Sequence, residues 1–239
     1  ECILQMIDEF QFMNRYICRD KECEKPITDL AGSYLGTVEY KIAPLLVTGS
    51  WIGWLMDDLN KMLPGRLTNF IFENMPEYEA IEMVLNYSEI LKIPMTYESA
   101  CVIAKLTEGN PFYISSFFLS EYPDKNFLTE DGILELLNFE TLDKRGMIRT
   151  TWMEYISTAI NKVNDINGKK IILYICKKKE VTRDDIKRDL KLEIEDRELE
   201  RRLKAFVNAD IIDQGNSDFV YQAVKDNIFD KVFRGVYQK

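Results

Sequence analysis

From Pro76 to about residue 167 the sequence carries helical periodicity and no strand signal, behind a segment with short apolar runs and ahead of one that closes on a hairpin pattern. That order constrains the fold class more than any single residue does. Short apolar runs that stop at polar residues read as strands of a parallel sheet covered on both faces. Cys2 to Ile7, interrupted only by Gln5, ends in Asp8-Glu9, and Pro44 to Val47 ends in Thr48-Gly49-Ser50. Asn69 to Phe72 is a third, shorter candidate. Leu30, Tyr34 and Val38 give Thr28 to Tyr40 a helical spacing, so the first part reads strand, helix, strand, an α/β unit.

The helical block is punctuated by caps. Glu77 to Leu91 places Ala80, Ile81, Val84, Leu85, Tyr87 and Leu91 on one face before Pro94. Tyr97 to Leu106 repeats the pattern, Gly109 signals its end, and Pro111 opens the next helix, Phe112 to Glu121. Asp131 to Leu137 and Thr151 to Val163 follow, the second with the capping-box spacing Thr151 to Glu154. Beyond residue 167 come Lys169 to Cys176, Thr182 to Leu190 with Thr182 as N-cap and Asp185 three positions on in capping-box spacing, and Asp196 to Ala209. Ile211 to Asp213 and Phe219 to Tyr221, joined by a polar turn, form a hairpin, and Lys225 to Tyr237 is a terminal helix that packs back. Three helices and a hairpin make a winged helix. The predicted domains are a partial α/β domain over 1–75, an all-α lid over 76–167 and a winged helix over 168–239.

Charge divides along the same line. Residues 1–167 hold 14 Lys and Arg against 26 Asp and Glu, whereas 168–239 hold 17 against 14, so the two parts carry -12 and +3 of the net -9. The chain has no histidine, which removes Ser/His and Cys/His nucleophiles and imidazole metal centres. The five scattered cysteines read as reduced thiols of a cytoplasmic protein, and Cys18 with Cys23 is at most half a metal site. The longest apolar run, Ile42 to Met56, is broken by Pro44, Gly49 and Gly53 and falls short of the roughly 20 residues that cross a bilayer. No membrane partner is expected.

An Asp-Glu pair at the carboxyl end of a buried strand supplies what ATP hydrolysis needs: the Asp helps to hold magnesium and the Glu polarises the attacking water. Ile3-Leu4-Gln5-Met6-Ile7-Asp8-Glu9 resembles a Walker B motif. Leu45 to Ser50 resembles a sensor 1 strand, Gly65-Arg66-Leu67 an arginine element, and Leu106 to Ile114, with Gly109-Asn110-Pro111, the lid element of STAND ATPases. Together with Asp8-Glu9-Phe10-Gln11 and the ending Asp226 to Arg234, the chain resembles the archaeal-type, STAND-like AAA+ P-loop ATPases over nearly its whole length.

The resemblance implies a nucleotide-dependent switch that binds ATP with magnesium. On it, Asp8 supports the metal and Glu9 activates water, Ser50 or Thr48 senses the γ-phosphate, and Gly109, Asn110 and Pro111 contact nucleotide, with Pro111 lining the adenine side. Arg66 either reaches a γ-phosphate, its own or a neighbouring subunit's, or pairs with a surface carboxylate. The chain departs from the family in having no Gly-x-x-x-x-Gly-Lys-Ser/Thr, so the phosphate cradle is expected upstream or on a partner, and the chain alone is expected to be inactive. Without that strand, Leu45 to Val47 is left with an apolar edge.

Arg197, Arg201 and Lys204 fall at i, i+4 and i+7 of one predicted helix, a basic stripe that meets either DNA phosphates or a protein partner. The alternative to the switch is therefore a non-catalytic interaction or DNA-binding module built on the winged helix. Homo-oligomerisation stays open.

Overall fold

The structure, a computed structural model, describes residues 4–8, 10, 18–22, 44–49, 65, 68, 70, 72–163, 167–178, 180–217 and 219–237, and for 158–163 the backbone alone. They fall into two compact units, residues 1–70 with 193–221, and residues 71–192 with 222–239.

In the first unit β1 (Gln5–Ile7) lies parallel to β2 (Leu45–Val47), in the register Gln5 to Leu45, Met6 to Leu46 and Ile7 to Val47. Gln5 N–H donates to the Pro44 carbonyl at 2.9 Å, and Thr48 N–H to the Ile7 carbonyl at 2.9 Å. Parallel pairing with no hairpin requires a crossover between the strands, so β2 returns beside β1 only after a long connection. The expectation of strands covered on both faces is corrected: Met6 is 68% exposed and Leu46, its partner in register, 42%. Phe70 and Phe72, at 80% and 94% exposure and in no strand, also overturn the third strand candidate. Asn69 and Ile71 of that candidate lie outside the described residues. The predicted helix over Thr28 to Tyr40 lies outside the described residues. Cys18 is disulfide-bonded, against the expected reduced thiol, because spacing along the chain carries no information on which thiols meet in space.

The second unit holds α1 (Glu77–Leu91), α2 (Tyr97–Leu106), α3 (Pro111–Leu119), α4 (Glu130–Leu142) and α5 (Met147–Val163). Three of the five starts have a local cause. Thr96 accepts from Ser99 N–H, Asn110 from Phe112 N–H, and Thr129 from Gly132 N–H, each quenching a backbone donor that the helix leaves unpaired. α1 ends where Lys92 turns left-handed at φ 55°. Ile103, Ile114, Phe117, Ile133, Leu136 and Ile148 are wholly buried in the shared core. Tyr87, Phe118 and Phe127 stack in sequence, with ring centroids 4.9 and 5.1 Å apart and planes within 13°. Such pairs add to area burial by about 1 kcal/mol each.

α5 begins at Met147, so the predicted capping box at Thr151 is wrong: Thr151 lies inside the helix. The cap comes from a distant residue. The Glu140 carboxylate, 1% exposed on α4, accepts Met147 N–H at 2.8 Å, Ile148 N–H at 3.4 Å and the Ser120 hydroxyl at 2.5 Å.

Beyond α5, α6 (Gly168–Lys178) buries Ile171, Ile172, Ile175 and Cys176, and burial pushes the Cys176 thiol up to about 11. A short strand the sequence did not reveal, β3 (Glu180–Thr182), leads into α7 (Arg183–Asp189), whose Thr182 and Asp185 form the capping box expected there. α8 (Asp196–Val207) and β4 (Ile212–Gln214) belong to the first unit. β5 (Val220–Ala223) straddles the division, with β4 and β3 as its neighbours in the sheet. α9 (Asn227–Tyr237) returns to the helical core, where Ile228 and Val232 are buried among α1 to α5. Among the described residues no helix is long and apolar enough to cross a membrane.

Candidate functional site

Parallel register brings the two predicted strand ends together. Because Ile7 sits opposite Val47, Asp8 and Thr48 leave the sheet side by side, and the Thr48 hydroxyl donates to Asp8 Oδ1. Phe10 N–H donates to the Thr48 carbonyl at 3.0 Å, which ties the chain after Asp8 to the same strand end. Both side chains are exposed. Glu9, Ser50 and Arg66 lie outside the described residues. Among the described residues no group of three or more metal-ligating side chains forms a closed cage. One carboxylate beside one hydroxyl fits magnesium, which takes few protein ligands and leaves the rest of its shell to water and phosphate oxygens.

The Gly109-Asn110-Pro111 element forms the turn between α2 and α3. Gly109 N–H reaches the Ala104 carbonyl at 3.1 Å with φ 70°, the left-handed ending that glycine permits. Its carbonyl accepts Met75 N–H at 3.0 Å, and a Cβ at this position would lie 2.1 Å from the Met75 carbonyl oxygen. Asn110 accepts from Phe112 and Tyr113 N–H at 3.0 and 3.3 Å, and Pro111 occupies the first turn where a missing N–H costs nothing. Gly109 is buried, Asn110 half-buried and Pro111 exposed. Glycine, asparagine and proline thus each have a backbone reason to stand in this order.

Five side chains outside the predicted set surround this turn. Tyr113, whose N–H is bonded to Asn110, donates its hydroxyl to Asp226 at 2.6 Å and accepts Trp152 Nε1–H at 2.8 Å. Burial first, and then Asp226, push the Tyr113 phenol far above its ordinary range, so it stays a donor. Asp226 also accepts Phe229 N–H at 2.8 Å and so caps α9, and Asn227 donates to Glu108 at 2.6 Å. Asp226 and Asn227 stand in the stretch that carried the family resemblance, yet their roles depend on contacts more than a hundred positions back, which no local pattern displays.

On α8 the apolar residues Leu199, Leu203 and Phe206 are buried, and Arg197, Arg201 and Lys204 lie exposed half a turn away. The stripe is not uniform. Arg201 donates to both oxygens of Glu198 at 2.8 Å, and Arg202 donates to the same carboxylate at 2.9 Å. The Arg201 and then the Arg202 guanidinium hold the Glu198 carboxyl at about 2, below its ordinary 4.5. A depressed folded value means that the pair's contribution to stability is full above pH 4.5 and is lost as pH falls towards 2. A carboxyl-carbon NMR titration is expected to give Glu198 a midpoint near about 2, returning to the ordinary range when Arg201 and Arg202 are both replaced by alanine. A midpoint already ordinary in the unmodified protein would contradict the fork.

No family model matches the sequence, and no curated protein does. Among solved structures, the chain is similar to the Walker-type ATPase PABY2304 of Pyrococcus abyssi, with a TM-score of 0.66 at 15% identity over 98% of this chain and 63% of that one. The RuvB Holliday junction branch migration motor of Thermotoga maritima gives a TM-score of 0.43 at 15% identity, covering 93% of this chain and 67% of that one. The first of these likenesses shows the fold alone: the chain shares the architecture of that Pyrococcus abyssi protein. It spans 63% of the length of that ATPase.

Proposed function

We propose that the chain is the carboxy-terminal part of a STAND-like AAA+ ATPase that acts as a nucleotide-dependent switch. On this reading residues 1–75 carry Walker B and sensor 1, 76–167 the lid, and 168–239 a winged helix. The observation that carries it is the bonded pair Asp8 and Thr48 at adjacent carboxyl ends of parallel strands, in a chain with a Walker-type ATPase fold. Ligands of such sheets gather outside the carboxyl ends of the strands. Asp8 holds magnesium, and Thr48, bonded to it, stands where a γ-phosphate is sensed; Glu9 and Arg66 are assigned to water activation and to phosphate contact. Magnesium, when bound, neutralises charge on the β- and γ-phosphates. Gly109, Asn110 and Pro111 give the adenine side a rigid turn. The order α6, β3, α7, α8, β4, β5 with β5 between β3 and β4 supports the winged helix. A protein partner suits its basic face better than a duplex, since Glu198 already engages Arg201 and Arg202.

The phosphate cradle, for which the 239 residues offer no motif, comes from outside them. Calorimetry on the full-length protein is expected to show magnesium-dependent ATP binding that Asp8→Asn weakens by about tenfold or more, roughly 1.4 kcal/mol. No nucleotide binding by the full-length protein would end this reading. The 239-residue chain alone is expected to turn over no ATP; hydrolysis by it that Glu9→Gln abolishes would overturn the assignment of the cradle.

A further inference from the structure

Within the second unit, α1 and α2 hold two adjoining clefts on their outer faces. One has Ile81, Leu85 and Cys101 half-buried in it, with the exposed rings of Tyr78 and Tyr97 beside them. The other takes in Met83 and Ile90. Tyr78 and Glu82 line both, so the clefts make one apolar strip along α1. Tyr97, Tyr78 and Ile90 are 61%, 68% and 75% exposed. A lone exposed apolar side chain is ordinary, whereas a contiguous set marks an interaction surface.

Charge on these helices is one-sided. α1 carries Glu77, Glu79, Glu82 and Glu89 with no Lys or Arg, and α2 sets Glu98 against Lys105. Glu77 and Glu79 suit the positive end of the α1 dipole, but Glu82 and Glu89 stand beyond its first turn. Glu82 has Tyr78, Glu79, Leu85 and Asn86 at the neighbouring positions of its helix, so the helix offers it no cation. Among the described residues no Lys or Arg forms an ion pair with any of these five carboxylates.

We propose that this strip docks a basic amphipathic helix of a partner protein, its apolar side set against Tyr78, Tyr97 and Ile90 and its Lys or Arg side chains beside Glu82 and Glu89. Charge complementarity selects that partner. A wholly apolar occupant would cover Glu82 and leave a carboxylate dry and unpaired. Nucleic acid and an anionic membrane surface are repelled by the same row of acids. A second copy that paired through this same face would bring glutamates against glutamates. A helix laid in an apolar groove anchors through residues at i, i+3, i+4 and i+7, which leaves its opposite flank free to carry the cations. α1 has 15 residues, so a helix of matching length spans roughly 22 Å.

The test uses the full-length protein and a synthetic helix of about 15 residues with leucines on one face and lysines on the other. Two control peptides accompany it, one with glutamate for every lysine and one of the same composition in scrambled order. Binding is read by fluorescence anisotropy, and occupancy of the strip by alkylation of Cys101, a free thiol in the first cleft. The lysine peptide is expected to bind about tenfold or more tighter than either control, to slow Cys101 alkylation about fivefold or more, and to loosen as salt rises. Tyr78→Ser is expected to weaken it about tenfold, and Glu82→Lys to weaken it and to admit the glutamate peptide instead. Both positions are exposed, so both variants are expected to melt like the unmodified protein. Controls that bind as well as the lysine peptide, or binding that leaves Cys101 as reactive as before, would overturn the proposal. Self-association of the protein that Tyr78→Ser abolishes would do the same, since the strip would then belong to a second copy. None of these readouts involves ATP, so failure here leaves the nucleotide reading standing.

Discussion

Gly109→Ala lowers the stability of the helical unit by roughly 3 kcal/mol, an effect read as a fall of about 6 to 12 °C in melting temperature. Two costs combine. An alanine at φ 70° sits in the left-handed region, which carries roughly 1 to 2 kcal/mol for a residue with a Cβ. The new methyl would also stand 2.1 Å from the Met75 carbonyl oxygen, a backbone atom that no rotamer change can remove. The chain around Met75 must therefore retreat, and the 3.0 Å bond from Met75 N–H to the Gly109 carbonyl goes with it. Gly109→Asn tests the division, because asparagine tolerates the left-handed region better yet meets the same carbonyl. If Gly109→Asn restored full stability, steric contact with Met75 would not be the main cause. If Gly109→Ala melted like the unmodified protein, the close approach itself would be in error.

Glu140→Ala is the second large effect, again roughly 3 kcal/mol, measured as a shift of the urea midpoint without change in slope. The carboxylate is 1% exposed and serves Ser120 and the first two backbone donors of α5. Removing it strands those donors in a region where Gly146 already packs so closely that a Cβ there would come 2.4 Å from the Glu140 carbonyl oxygen. Ser120→Ala, which removes a single donor, is expected to cost about 1 kcal/mol, and Glu140→Gln, which keeps one acceptor oxygen, to fall between the two. Equal losses for Ser120→Ala and Glu140→Ala would assign the whole effect to the hydroxyl and none to the helix cap.

These residues also mark where sequence reasoning succeeds and where it stops. α1 and α2 were legible to the residue, and so was the Thr182 capping box, because periodicity, Thr, Gly and Pro signals act over a few positions. The neighbourhood of Asp8 and Thr48 was legible too: apolar runs that end in polar residues, read as parallel strands, put their ends side by side. The start of α5 was not, since its cap comes from Glu140 on another helix while Thr151 offered a local decoy. β3, three residues long, gives no alternation to detect and exists because β5 lies beside it. Exposure of Met6 and Leu46 was missed for a related reason, as an apolar run says what a strand prefers to face and not whether anything is there to face it. The Tyr113, Asp226 and Trp152 cluster depended on partners that are remote along the chain and therefore invisible to any window.

Placement of α9 among the earlier helices has a consequence during synthesis. Ile228 and Val232 fill gaps in a core whose other members lie between Ala80 and Ile148, and Phe229 meets the Trp152 ring at 4.7 Å. A ribosome must therefore make everything up to the final turns before this core can close. Until then the nascent helices carry an apolar seam that Ile228 and Val232 have yet to cover, the kind of surface that favours aggregation while a chain is incomplete.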